Sequence, residues 1–257
     1  MLRRISILGL EGFPLIKAGD DLAALIVTTA QNNEVEIEDG DVVIVAQKVV
    51  SKAEDRVVQL HTVEPSKKAL EIAEKTSRNP RLVELVLRES KRFLKASEEI
   101  VIVEDKREIV NINAGIDKSN VQGSDSYALL PVDPDESARG IRSRLKKLTG
   151  RSVSVIISDT YSRAFRRGQV NFAIGLAGMS PFFDYRGKKD LFGYIMQVKF
   201  AAVADELASA AELVMGQGKE AMPVTIVKGL NRLTASEDSS SKDLVISQEE
   251  DLFRNAW

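Results

Sequence analysis

The chain of 257 residues contains no cysteine and only one histidine, His61. The absence of cysteine excludes a disulfide framework and thiol catalysis. With a single histidine as well, the chain has almost nothing from which to build a soft-metal site. His61 lies in a polar turn of the sequence, so we expect it to be structural. Metal chemistry in this chain should therefore rest on oxygen ligands.

The chain also lacks an excess of charge of either sign and lacks a long apolar run. Its 36 Lys and Arg against 38 Asp and Glu give a formal net charge of −2, whereas a general nucleic-acid binder would be basic. The apolar stretch after Arg3 and Arg4 is too short for a signal peptide or a membrane span. We therefore expect a cytoplasmic protein with no nucleic-acid partner and no membrane contact.

The apolar material that is present, 44% of the residues, is enough for a large core. Strand and helix patterns mix without strict alternation, which predicts an α+β fold. Strands are predicted at residues 5–8, 41–46, 99–103, 108–112, 153–157, 194–200 and 223–228, the third and fourth forming a hairpin. Helices are predicted at residues 20–31, 66–77 and 202–215, with two more beginning near residues 79 and 133. The serine-rich stretch 236–242 predicts a mobile surface loop.

Two of these helices have clear start signals. Asn79 and Asp133 are predicted N-caps, and each is followed by a proline at the first helical position. Glu136 would complete a capping box with Asp133. The apolar spacing predicts that the buried face of the first of these helices continues through Phe93 and Leu94.

Two acidic residues follow apolar strand patterns. A glycine bend after the strand 108–112 presents Asp117, and the strand 153–157 ends in Ser158, Asp159 and Thr160. Two acids at the ends of buried strands can converge on a hard cation, which takes oxygen ligands. This pattern indicates magnesium or manganese chemistry on phosphates. The structural alternatives are an ordinary turn at 113–117 and a capping role for Asp159.

Three arginines, Arg163, Arg166 and Arg167, lie beside Asp159 in the sequence. Guanidinium groups suit phosphates and carboxylates, which favours anion binding over a solvated run of charge. The chain contains neither the Walker motif nor the dinucleotide fingerprint, so a nucleotide must be held differently. We interpret Gly175 and Gly178, a little further on, as sites of close backbone packing.

Two further segments could contact phosphate. The stretch 215–220 follows an alanine-rich helix and contains two glycines, which suit either a helix C-cap or a loop of free N–H groups that cradles phosphate. Lys52 follows a buried strand and could supply a point charge, although most lysines are simply solvated.

Several segments in one order resemble the coenzyme F420-0:L-glutamate ligase (gamma-glutamyl ligase) family. They include Asn113-Ala114-Gly115-Ile116-Asp117 and Lys189-Asp190-Leu191-Phe192-Gly193. The full set covers nearly the whole chain and comprises residues 12–20, 47–54, 113–121, 158–168, 189–193, 204–207 and 212–217. Each segment is weak alone, but together at this spacing they are specific.

The resemblance implies a GTP-dependent ligase that adds L-glutamate to the coenzyme F420 precursor F420-0, and then a gamma-linked glutamate to F420-1. From the chemistry of the reactants we expect an acyl-phosphate intermediate, with release of GDP and phosphate. The family also implies Mg²⁺ or Mn²⁺, K⁺, and an intertwined homodimer. Its unusual gamma-glutamyl ligase fold has mixed sheets with helices and no P-loop or Rossmann unit. We expect one stand-alone ligase unit over residues 1–257, with room for two subdomains.

Residue by residue, the resemblance places metal on Asp117, Asp159 and Thr160. An acid that some members have at position 217 is Gln217 here, and its neutral oxygen is a poorer metal ligand. The resemblance places the guanine nucleotide against Phe13, Pro14, Leu15, Ile16, Gln47, Lys48, Lys52, Asn120, Met215, Gly216, Gln217, Gly218, Lys219, Glu220, Ala221 and Met222.

Two other functions stay open at this point. One is a ligase of the same fold that acts on another carboxylate acceptor, and the other is a nucleotide-binding module without turnover. The sequence indicates no general base for the attacking amine. It also leaves open the number of glutamates added, the acceptor and glutamate sites, and the basis of a preference for GTP over ATP.

Overall fold

The computed structural model describes residues 4–98, 100–163, 165–230, 233–247 and 249–251. Six helices lie in this part: α1 Leu22–Asn32, α2 Gln47–Ala53, α3 Lys67–Thr76, α4 Pro80–Arg88, α5 Pro134–Thr149 and α6 Val203–Met215. The strands are β1 Ser6–Gly9, β2 Val42–Ala46, β3 Val57–Gln59, β4 Ser90–Ala96, β5 Val101–Asp105, β6 Val110–Ile112, β7 Ser126–Ala128, β8 Ser154–Ser162, β9 Gln169–Ala177, β10 Phe183–Asp184, β11 Phe200–Ala201 and β12 Val224–Lys228. This mixture confirms the α+β prediction.

Five strands form the main sheet in the order β1-β12-β2-β8-β9. β2 and β8 run parallel, and the other neighbours are antiparallel. Both central strands are apolar runs rich in valine and isoleucine, which suit a sheet covered on both faces. The register pairs Ala46 with Ser158. This pairing brings the start of α2 beside the polar end of β8.

Helices cover both faces of this sheet. Because successive side chains of a strand point to opposite faces, Val43 and Val45 pack with α1 and α5, while Ile44 packs with α6. A Cβ at Gly175 of β9 would lie 2.3 Å from the carbonyl oxygen of Pro134 in α5, and one at Gly178, just after β9, would lie 2.4 Å from the side chain of Arg142. The prediction of close backbone packing is confirmed at Gly175, whereas at Gly178 the close neighbour is a side chain.

The outer edge of β9 is covered by side chains rather than by another strand. Its N–H groups at Asn171, Ala173 and Leu176 donate to the carboxylates of Glu212, Asp205 and Asp135, over 3.2, 3.0 and 2.7 Å. The carbonyl oxygens of Asn171 and Ile174 accept from the hydroxyls of Ser209 and Ser241. A shift in register between Ile157 and Ser158 accounts for the change in spacing of the outward N–H groups.

The smaller sheets are β4-β5-β6, β3-β7 and β10-β11. β5 and β6 pair antiparallel and confirm the predicted hairpin, although Glu99, its first predicted residue, lies outside the described residues. Phe93 and Leu94 do not belong to the preceding helix. α4 ends at Arg88, and both residues lie on β4, which pairs with β5. The pairing with the next strand, β5, overrides the helical spacing that the apolar residues share.

The helix start signals are confirmed with one correction. Asn79 accepts from the N–H of Arg81, and Asp133 accepts from the N–H of Glu136 over 2.9 Å. The carboxylate of Glu136, however, accepts from Arg139 on the next turn instead of completing a capping box. The guanidinium of Arg139, three residues further along the helix, binds the carboxylate that a capping box would direct to the backbone N–H of Asp133.

Two other predictions are wrong or incomplete. The strand predicted at 194–200 is absent except for Phe200, which pairs through β11 with β10. Most of the segment 185–199 is exposed, so its apolar residues do not mark a core strand. In the stretch 236–242, Ser241 donates through its backbone N–H and its hydroxyl to Asp135. Part of the predicted mobile loop is therefore bound to α5.

Among the helices of the described part, none combines the length and apolar character that crossing a membrane requires.

Candidate active site

Two cavities meet at the polar end of β8. The first, of about 230 Å³, lies between α2, the loop after β1 and the loop after α6. The second, of about 610 Å³, lies between β6, the segment 113–119 and the end of β8. Asp159, Thr160 and Gln217 line both cavities. These three residues form what we call the shared wall.

The first cavity collects every residue for which the sequence predicts nucleotide contact. They come from three loops and two helices that are far apart in the chain: Phe13, Pro14, Leu15, Ile16, Gln47, Lys48, Lys52, Asn120, Met215, Gly216, Gln217, Gly218, Lys219, Glu220, Ala221 and Met222. Their role in binding stays a prediction, but their convergence on one cavity is a property of the fold.

Two lysines of α2 hold the segment 117–120 against the first cavity. Lys48 Nζ lies 2.8 Å from Asp117 Oδ2 and donates to Ser119 Oγ. Lys52 Nζ donates to the carbonyl oxygen of Asn120 over 2.8 Å. Burial, together with the charge of Lys48, lowers the pKa of Lys52 below its ordinary value. The pair concentrates positive charge where the sequence predicts phosphate.

The two predicted metal acids have different environments. Asp159 lies inside β8, paired with Phe172 of β9, and not at a strand end as the sequence suggested. The strand continues to Ser162 because β9 pairs with it along its whole length. Burial raises the pKa of Asp159 to about 6, although the N–H of Thr160 and the charge of Arg107 oppose the shift. Burial also opposes ionisation of Asp117, but its bonds to Lys48 and Ser119 outweigh burial and lower its pKa.

The donor set suits a hard cation. Asp159 has no ion-pair partner among the described residues, and it lines both cavities together with Thr160, so an oxygen-binding cation would stabilise the ionised form. No three Asp, Glu, His or Cys side chains converge within the part of the chain that the structure describes. Asp117 already pairs with Lys48. A cation that binds both acids must therefore share Asp117 with this lysine.

Gln217 lies at the centre of a group of oxygen atoms. Its Nε2 is 2.9 Å from Thr160 Oγ1, 3.2 Å from Asn171 Oδ1 and 2.7 Å from Glu212 Oε1. The amide nitrogen is a donor, and all three partners can accept. Gln217 thus ties the loop after α6 to the shared wall.

The three arginines do not line one cavity together, and their role in anion binding stays a prediction. Arg163 lines the second cavity, and its Nε is buried without a hydrogen-bond partner among the described residues. Arg166 and Arg167 are exposed and line neither cavity. Adjacent residues of a loop can direct their side chains to different places, and the sequence alone does not show which side chain faces a cavity.

A polar network that borders the second cavity was not predicted from the sequence. Arg107 donates to Asp105 over 2.6 Å and to the hydroxyl of Tyr161 over 2.9 Å. Asn111 Nδ2 donates to Asp105 over 2.7 Å and lies 3.4 Å from the same hydroxyl. The available signal was a polar residue, Asn111, between Val110 and Ile112 of an apolar strand.

Comparison with known proteins gives a consistent result. The family model described as F420-0:Gamma-glutamyl ligase matches residues 12–229. Proteins named coenzyme F420:L-glutamate ligase are similar along their full length. The one from Methanothermobacter thermautotrophicus is 44% identical over 97% of this chain and 99% of its own. Those from Methanocaldococcus jannaschii and Archaeoglobus fulgidus are 40% and 43% identical, over 98% of this chain and 98% and 97% of their own.

Proposed function

Because the chain belongs to the F420-0:gamma-glutamyl ligase family, we propose that it is a ligase that joins L-glutamate to F420-0 and then adds a gamma-linked glutamate to F420-1. GTP is the co-substrate, and GDP and phosphate are the other products. The relatives' names support the glutamate and coenzyme parts of this proposal. The use of GTP rests on the family resemblance of the residues around the first cavity.

The reaction needs an activated carboxylate, because a free carboxylate is a poor acylating agent at neutral pH. A carboxylate oxygen of the acceptor bonds to the γ-phosphorus of GTP while the bond from that phosphorus to the bridging oxygen of GDP breaks. The amine of glutamate, after losing a proton, then bonds to the acyl carbon of this acyl phosphate. Inorganic phosphate leaves with the former carboxylate oxygen. No side chain of the described residues is assigned as the base.

One observation carries the proposal: the two cavities share a wall at Asp159, Thr160 and Gln217. A nucleotide in the first cavity with its terminal phosphate at this wall faces a carboxylate in the second. Phosphoryl transfer depends mainly on such positioning and on stabilisation of charge. Correct placement of bound reactants can supply roughly 7–11 kcal/mol of the barrier reduction.

Positive charge is needed because three anionic molecules meet at this wall. Two unit charges about 4 Å apart interact by roughly 4 kcal/mol at an effective dielectric constant of 20. Lys48 and Lys52 supply two compensating charges beside the first cavity. We propose that Asp117, Asp159 and Thr160 hold Mg²⁺ or Mn²⁺, which neutralises charge on phosphate oxygens when bound. A requirement for K⁺ follows from the resemblance alone, and no residue is assigned to it.

A mass spectrum of the products tests the proposal. F420-0 incubated with GTP, L-glutamate and magnesium should gain the mass of one glutamate residue and then of a second. GTP hydrolysis should require both the acceptor and glutamate, and ATP should support the reaction less efficiently. Hydrolysis without the acceptor, or nucleotide binding without any product, would instead indicate a binding module. Product from another carboxylate acceptor and none from F420-0 would indicate the other ligase.

A further inference from the structure

The second cavity contains polar groups that neither the nucleotide nor the metal uses. Its volume of about 610 Å³ is in the range of small-molecule sites. It borders the first cavity at the shared wall, where the proposed chemistry takes place. One of the reactants must therefore enter it.

Three side chains of β8 and its extension form a row along this cavity. Asp159, Tyr161 and Arg163 alternate along an extended chain, so they belong to the same face. At a rise of roughly 3.3 Å per residue, the backbone of Arg163 lies about 13 Å from that of Asp159. The row therefore runs from a carboxylate at the shared wall, past a hydroxyl, to a guanidinium group away from it.

Asn111 supplies an acceptor beside the middle of the row. Its Nδ2 faces the carboxylate of Asp105, which is an acceptor only, so the orientation of the amide is fixed with Oδ1 on the other side. Asn111 is 7% exposed, and Oδ1 is buried without a partner among the described residues. A buried acceptor left unpaired costs roughly 1–3 kcal/mol. A ligand that donates N–H groups would satisfy it.

Tyr161 supplies a donor at the middle of the row, and Arg163 supplies one at its far end. The hydroxyl of Tyr161 accepts from Arg107, and among the described residues no acceptor takes its own hydrogen. Arg163 forms no ion pair with a described carboxylate, and its buried Nε is unpaired. A carboxylate accepts from both kinds of donor. Because Arg163 lies away from the shared wall, that carboxylate is not the one that reacts.

We propose that the second cavity binds the incoming amino acid, with its ammonium group on Asn111 and its side-chain carboxylate on Tyr161 and Arg163. This assignment rests on the proposed function and adds the location and recognition of the amine substrate. The amine then lies nearer the shared wall than the side-chain carboxylate does. The cavity is larger than one amino acid needs, so room is left for the end of the acceptor.

The test compares L-glutamate with L-glutamine, which lacks the side-chain charge, in wild type and in Arg163→Gln. We expect the variant to raise KM for L-glutamate at least tenfold, with KM for GTP and for F420-0 changed less than about twofold. The ratio of kcat/KM for glutamate over glutamine should fall towards one. Arg139→Gln, which removes an exposed guanidinium of α5 that lines neither cavity, is the matched control. A merely structural role of Arg163 would not remove the discrimination between the two amino acids.

A rise in KM for F420-0 instead of L-glutamate, or an unchanged preference for glutamate, would overturn the assignment. Asn111→Leu should also raise KM for L-glutamate, and the Arg163 variant keeps the test valid if Asn111→Leu does not fold. Calorimetric titration of L-glutamate into wild type and Arg163→Gln, with magnesium and a non-hydrolysable GTP analogue, needs no turnover. Binding to wild type alone without any ligation would uphold the amino-acid site and reject the proposed function. No binding to wild type would reject the site itself.

Discussion

At the scale of single residues, the two acids near the shared wall differ in how their charge is held. Asp117 is paired with Lys48, whereas Asp159 is half-buried without an ion pair among the described residues, and its pKa is raised to about 6. A group in the second environment gains more from a cation, because no lysine or arginine among the described residues forms an ion pair with it. Asp159 should therefore dominate metal affinity.

Asp159→Asn tests this expectation. The neutral amide is a poorer ligand for a hard cation, so turnover at limiting magnesium should fall at least tenfold, or about 1.4 kcal/mol, with partial recovery at high magnesium. Initial rates over a magnesium titration give the result. Asp184→Asn, which changes an exposed carboxylate paired with Arg186, serves as control. Near wild-type turnover of Asp159→Asn at limiting magnesium would contradict the assignment.

Sequence could identify residues of the first cavity because they lie in short motifs with a distinctive order. It could not identify Asn111 and Tyr161 as residues of the second cavity, since their position there depends on a hydrogen-bond network that joins β6 to β8. Nor could it separate Arg163 from Arg166. The direction of a side chain in a loop is set by the surrounding fold and not by its neighbours in the chain.

At the scale of elements, β9 and α5 approach closely at one glycine. A Cβ added at Gly175 would lie 2.3 Å from the backbone of Pro134, and backbone cannot rotate away as a side chain can. Gly140, in the exposed interior of α5, has no atom within 4 Å of its would-be Cβ. The same substitution should have opposite effects at these two sites.

Gly175→Ala should destabilise the protein by about 1–3 kcal/mol, as overpacking does. Gly140→Ala should stabilise it by about 1 kcal/mol, because alanine is the better helix former. Urea unfolding of both variants and wild type measures the difference. Equal midpoints for the two variants would show that β9 and α5 are not in contact as described.

The half-buried Asp205 and the buried Glu84 should contribute opposite pH dependences to the free energy of unfolding. Burial raises the pKa of Asp205 above 3.8, although the N–H of Ala173 opposes the shift. Its contribution to stability is full below the unfolded pKa and is lost as pH rises through the folded pKa. For Glu84, burial is outweighed by bonds from Ser66 and Arg88, so its pKa is lowered below 4.5. Its contribution is full above 4.5 and is lost as pH falls through the folded pKa.

Asp205→Asn should therefore be at least as stable as wild type at pH 8, with the difference shrinking as pH falls towards 4. Glu84→Gln should be less stable than wild type at pH 8, and this deficit should persist down to pH 4.5 and shrink only below it. Unfolding curves across this range decide the signs. A large loss of stability in Asp205→Asn at pH 8 would mean that its charge is needed at the edge of β9.

The central strands and five of the helices were predictable because their apolar patterns and caps agree with their tertiary setting. β4 was not, since Phe93 and Leu94 continue the helical spacing of α4 while pairing with β5. The predicted strand at 194–200 failed for the opposite reason. Its apolar residues are exposed and do not pair with any described strand of the main sheet.

At the scale of the whole molecule, the segment 185–199 carries several exposed apolar side chains. Leu191, Phe192 and Val198 are 91%, 93% and 82% exposed. Single exposed apolar residues are ordinary, but several in one short segment favour an interaction site. We propose that this segment packs against a second copy of the chain and forms the homodimer that the resemblance implies.

Light scattering at assay concentration should give twice the mass of one chain. The double variant Leu191→Asp with Phe192→Asp should shift the population to the monomer, because two charges would be buried in the contact. Val132→Asp changes an exposed valine that is remote from this segment in the sequence and should leave the dimer intact. A fully active wild-type monomer would refute the dimer.

The side chains that cover the edge of β9 protect the molecule against unwanted strand addition. An open strand edge is a template on which other chains can add and grow into fibrils. Here Glu212, Asp205 and Asp135 occupy the outward N–H groups at Asn171, Ala173 and Leu176. An invading strand would have to displace carboxylates rather than water, so this edge resists aggregation during storage and synthesis. Copies of the chain then associate through side-chain surfaces instead of this strand edge, and side chains allow selective recognition.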